Sequence, residues 1–174
     1  MPSQVLVPVD GSPLSKKALE VAVTDYPDAA VTVLHVMDPI GSGFSIIDVM
    51  RPDFRHGKPP GSVTPEYWDE WYQQSHAKAQ TVFDEARDVV ESYDAEIETV
   101  LEFGKPEQII VEYAENHDVD RIVMGSHGRS GTMRVLLGSV TESVLQHSPV
   151  PVLVVRWSIV GTRRDKLYSS SLVP

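Results

Sequence analysis

A chain of 174 residues with a net charge of −10 and a pI of about 4.9 can bury one full core as a single domain. Its acidic surface repels nucleic-acid phosphates, so DNA and RNA are poor partners. It has no cysteine, no apolar run that spans a bilayer and no signal-peptide pattern. This leaves no thiol or disulfide chemistry, no expected membrane span, and the cytoplasm as the expected compartment.

Val5 to Val9 is a nearly all-apolar run and predicts a buried strand. Ser12 before Pro13 predicts a helix start, with a side-chain oxygen for the N-cap and proline at the first helical position. Leu14, Ala18, Val21 and Ala22 give that helix its apolar face, and it should stop near Pro27. A second strand is expected over Val31 to Val36. The stretch 40–63 holds no periodicity and reads as a long irregular loop. Thr64 and Pro65 open a long helix with Trp68, Trp71, Tyr72, Ala79, Val82, Phe83, Ala86, Val90 and Tyr93 on its apolar stripe.

Glu96 to Phe103 alternates as an edge strand does, with glutamates on the wet side. Gly104 and Pro106 lead into a helix carrying Ile110, Tyr113, Ala114 and His117 on one face. Arg121 to Met124 is a short buried strand running into a glycine-rich loop. Ser139 to His147 is a helix with Val140, Ser143, Val144 and His147 on one face, stopped by Ser148 and Pro149. Pro151 to Val155 is the last strand. The alternation predicts an α/β fold: a doubly wound, Rossmann-like, five-stranded parallel sheet in the order 3-2-1-4-5. One domain is expected over 1–157. The tail 158–174 ends in Tyr168, Ser169, Ser170, Ser171, Leu172, Val173 and Pro174, resembles an expression-vector linker and is set aside.

The chemistry concentrates after the fourth strand, in Gly125, Ser126, His127, Gly128, Arg129, Ser130 and Gly131, followed by Gly138 and Ser139. Glycines let backbone amides approach an anion. Successive amides form a nest for phosphate oxygens, and a helix start adds free N–H groups and its dipole. Arg129 and Arg134 offer positive charge in an otherwise acidic chain. The loop is no Walker A sequence, because no Gly-Lys-Ser/Thr follows, and it reads differently from the dinucleotide fingerprint. In the predicted order, strands 1 and 4 are neighbours at the switch point, where such sheets bind ligands.

The spacing of Gly125, Gly128, Gly138 and Ser139, together with Val7-Pro8-Val9-Asp10-Gly11-Ser12 and Leu34-His35-Val36, resembles the ATP-binding branch of the universal stress protein family from about Val5 to Val155. That resemblance implies ATP with Mg2+ or Mn2+ as the ligand. It implies that residues 125–131 wrap ribose and phosphates, and that Gly138, Ser139 and Val140 hold phosphates. It also implies that Pro8, Val9 and Asp10 line the adenine and ribose side, and that Val36 gives adenine backbone contacts. A homodimer through Pro151 to Val155 is implied as well. The expected role is a nucleotide-dependent stress or signalling dimer. A slow ATPase or phosphotransferase and a nucleotide-independent scaffold are the alternatives. No catalytic residue is assigned, since no Walker lysine, oriented base or pair of metal carboxylates is present. The histidines lack metal-ligand spacing.

Plainer readings stand beside these. Asp10 also reads as a turn residue before Gly11, and His127 as a loop residue beside the ribose. Ser139 and Glu142 fit a capping box, which competes with phosphate for the serine hydroxyl. His35 reads as a satisfied core histidine.

Overall fold

The computed structural model describes residues 3–38, 65–127 and 137–156, apart from the side chains of 65–68 and 70. Five parallel strands and four helices alternate along these residues. They are β1 (Gln4–Pro8), α1 (Pro13–Asp25), β2 (Ala30–Met37), α2 (Pro65–Glu91), β3 (Ile97–Phe103), α3 (Pro106–Asn116), β4 (Arg121–Gly125), α4 (Ser139–His147) and β5 (Val152–Val155). The sheet order is β3-β2-β1-β4-β5, as the alternation predicts. The expected long loop at 40–63, the glycine loop over 128–136 and the tail beyond 156 lie outside the described residues.

The order follows from burial. β1 and β4 are apolar runs with their middles fully buried, so they need sheet neighbours on both edges and helices on both faces. α1 and α2 cover one face, with Val5, Val7, Leu19, Val33, Phe83 and Val123 in that core. α3 and α4 cover the other, over Leu6, Leu34, Ile110, Ile122 and Val144. Each fully buried aliphatic side chain is worth about 1.5–3 kcal/mol.

Several local expectations needed correction. Tyr72 and Tyr93 are exposed rather than on the buried stripe, which runs through Ser75, Ala79, Phe83, Ala86 and Val90. Tyr72 continues the spacing but lies against Trp71 and Phe103 at the end of β3, and Tyr93 falls in the turn after α2. On α4 the buried polar residue is Thr141 rather than Ser143, and His147 is exposed.

At the lower end of the sheet, Asp120 Oδ2 accepts hydrogen bonds from Ser3 N (2.7 Å), Ser3 Oγ (2.8 Å) and Gln4 N (2.9 Å). These donors, the Ser3 hydroxyl first, hold the Asp120 carboxyl below the usual carboxylate range. The clamp ties the start of β1 to the start of β4.

Candidate nucleotide site

Three turns meet at the carboxyl ends of β1 and β4. The first follows β1. Val9 N donates to Leu34 O (2.8 Å), and the Asp10 carboxylate accepts from Ser12 N (2.9 Å) across Gly11, whose φ of +79° disfavours any side chain. Ser12 then caps α1 by accepting from Ser15 N (3.2 Å), with Pro13 next, as the sequence predicts. Asp10 thus shapes the turn after β1 through one carboxylate oxygen. Pro8 ends β1 and Val36 lies near the end of β2.

The second turn leaves β4. Gly125 has an ordinary φ, so left-handed backbone is not why it is glycine. A Cβ at 125 would sit 3.0 Å from Leu14 Cβ and 3.1 Å from Leu14 C and O. The glycine lets the first turn of α1 press against β4, which brings the first two turns together. Ser126 N is already bonded to Val155 O (2.8 Å), so that amide serves the sheet rather than an anion. Ser126 Oγ and His127 Nδ1 are 2.9 Å apart.

The third turn is the start of α4, folded back onto the second. Gly138 N donates to Ser126 O (2.8 Å), and Thr141 Oγ1 donates to Gly125 O (3.0 Å) from a buried position. The capping box does not form. Gly138, extended at φ −68° and ψ 153°, is the N-cap, no side chain among the described residues caps the helix, and Ser139 is the exposed first helical residue. Glu142 is thereby one position too late for the box, and its own N–H goes to Gly138 O (2.9 Å). Helix geometry gives the amides of Ser139, Val140 and Thr141 no intrahelical acceptor. The dipole adds positive potential there.

The structure thus gathers Pro8, Val9, Asp10, Gly125, Ser126, His127, Gly138, Ser139 and Val140 at the carboxyl end of the sheet, around β1 and β4. Gly128, Arg129, Ser130 and Gly131 lie outside the described residues. Among the described residues no group of three or more His, Asp or Glu side chains could hold a metal ion. Thr141 was not singled out from the sequence. Its burial depends on the bond to Gly125 O, and nothing in the local pattern distinguishes it from Ser139 or Ser143.

The profile of the universal stress protein family matches residues 1–156. The chain belongs to that family. Universal stress protein YxiE of Bacillus subtilis is 30% identical over 158 residues, covering 88% of this chain and 99% of that protein. Among solved structures, protein MJ0577 of Methanocaldococcus jannaschii superposes with a TM-score of 0.70 at 28% identity, over 91% of this chain and 98% of that one. Family members more distant in sequence share the fold. One from Arabidopsis thaliana was solved with AMP bound (TM-score 0.59, 17% identity, 97% of each chain). Another, from Archaeoglobus fulgidus, was solved with dAMP (TM-score 0.55, 20% identity, 87% of this chain and 95% of that one).

Proposed function

We propose that this chain binds an adenine nucleotide, ATP with Mg2+ or Mn2+, at the edge formed by β1, β4 and the start of α4, and acts as a nucleotide-dependent stress or signalling dimer in the cytoplasm. The observation that carries the reading is the start of α4. Its N-cap is a glycine with no capping side chain among the described residues, and it packs on the turn after β4, with Gly138 N donating to Ser126 O. That is the arrangement a phosphate oxygen fills. The AMP and dAMP complexes of folds of this kind support an adenine nucleotide as the class of ligand. The Asp10 carboxylate, at the turn after β1, is the kind of oxygen donor that suits a cation arriving on the phosphates. When bound, such an ion neutralises phosphate charge in an acidic protein.

Pairing through β5 rests on its position. Among the described residues it is an edge strand bonded only to β4, with all four residues half-buried, and an apolar edge of this kind is normally covered. Purified protein, denatured and centrifuged, should release an adenine nucleotide resolved by ion exchange, and the native preparation should sediment as a dimer. A nucleotide-free supernatant, with no binding of added Mg–ATP, overturns the nucleotide reading. A monomer at micromolar concentration overturns the pairing.

A further inference from the structure

We infer that His35 is a positioning residue that ends the β1–β2 ladder one rung early, and so turns the Val36 backbone over to the nucleotide base. The inference rests on the nucleotide reading above and adds a residue that does not touch the ligand.

In a parallel ladder, a residue's N–H and C=O both face the same neighbouring strand, and the next residue's face the other. Leu34 O accepts from Val9 N (2.8 Å), so Leu34 faces β1, and Val36, two residues on, faces β1 as well. Met37 O, facing the other way, accepts from Gly104 N (3.0 Å) at the end of β3. The regular continuation would have Val36 N–H donate to Val9 O. The carbonyl goes elsewhere: His35 Nδ1 lies 2.7 Å from Val9 O. Paired β1–β2 residues run only to Pro8 and Leu34, while β2 stays paired with β3 through Met37.

The imidazole is placed for this. It is 4% exposed, meets the Phe83 ring edge-on at 6.2 Å, and its Nε2 lies 3.1 Å from Met37 Sδ. A carbonyl acceptor at Nδ1 selects the tautomer that is protonated there. The side chain therefore substitutes for a ladder rung. It satisfies a carbonyl that would be costly to bury unpaired, and it keeps β1 from zipping onto Val36. What β1 does not use is one N–H and one C=O side by side, the pairing that the acceptor and amino edge of adenine require.

The test uses three variants of the full chain, read by Mg–ATP affinity and by hydrogen exchange of the Val36 amide. In His35→Leu, Val9 O is released to accept Val36 N–H. Affinity should fall roughly 5- to 30-fold, the scale of one lost hydrogen-bond pairing, and the Val36 amide should exchange more slowly than in the wild type. A residue that merely stabilised the core would make that exchange faster. His35→Asn, whose amide nitrogen reaches the place of Nδ1, should keep wild-type affinity and exchange. His35→Gln, whose amide nitrogen reaches the place of Nε2, should behave as His35→Leu and replaces it if the leucine variant does not fold. Unchanged or faster Val36 exchange in the leucine and glutamine variants, or an asparagine variant that matches them, overturns the inference. A wild-type chain that binds no Mg–ATP, with the exchange pattern as expected, overturns the nucleotide reading and leaves the ladder break standing.

Discussion

Replacing Gly138 with aspartate should move stability and nucleotide binding in opposite directions. The backbone at 138 has an ordinary φ of −68°, and an added Cβ would lie 3.4 Å from Ser126 O and 3.5 Å from His127 Cα, both ordinary contacts. The new carboxylate would cap the uncapped helix by accepting from Val140 or Thr141 N–H. Cap preference over glycine and the dipole together contribute about 0.5–1 kcal/mol. For a domain of this size that raises the melting temperature by roughly 1–4 °C. The same carboxylate takes the phosphate's place. A like charge about 4 Å away costs up to about 4 kcal/mol at an effective dielectric constant near 20, less with screening by salt. Affinity for Mg–ATP should therefore drop at least roughly tenfold. Thermal melts without ligand and titration calorimetry read the two effects separately. Unchanged affinity in a stabilised variant refutes the placement of phosphate at α4. A joint loss of stability and binding refutes the claim that position 138 has room.

Gly125→Ala should destabilise instead, because its Cβ meets Leu14 Cβ at 3.0 Å and two Leu14 backbone atoms at 3.1 Å. Overpacking of that kind costs about 1–3 kcal/mol, a fall of roughly 2–12 °C in melting temperature. Truncating Leu14 as well should not restore it, and a melting temperature unchanged by Gly125→Ala contradicts the packing argument. Asp120→Asn should destabilise the chain at neutral pH. Asp120 has its folded pKa lowered by Ser3 and Gln4, so its contribution is present above the unfolded value, about 4, and is lost as pH falls through the folded one. The gap between wild type and variant should close with acidification below about pH 4, and a gap constant down to pH 2 contradicts the clamp.

The sheet order was legible because its determinants are local. Strands β1, β2, β4 and β5 are short apolar runs, β3 alternates, and Ser12 with Pro13 and the proline at 106 mark the starts of α1 and α3. The site was legible only as a pattern of residues. The sequence reading makes Ser139 the cap, since serine is the better cap former, yet glycine adopts the extended cap conformation equally well and the cap falls one residue earlier, on Gly138. Gly125 reads as an anion-binding glycine. Its actual neighbour, Leu14, is far away in sequence, so only the packed structure shows why a side chain is excluded. His35 was legible as a satisfied buried histidine. Which carbonyl satisfies it depends on the register of β1 against β2, and no periodicity reveals that.

The most direct test is an amide NMR titration of the labelled full chain with Mg–ATP. The amides of Ser139, Val140 and Thr141 should shift together with that of Val36, saturating at a single ligand concentration. ATP that binds while the three α4 amides stay unmoved contradicts the account.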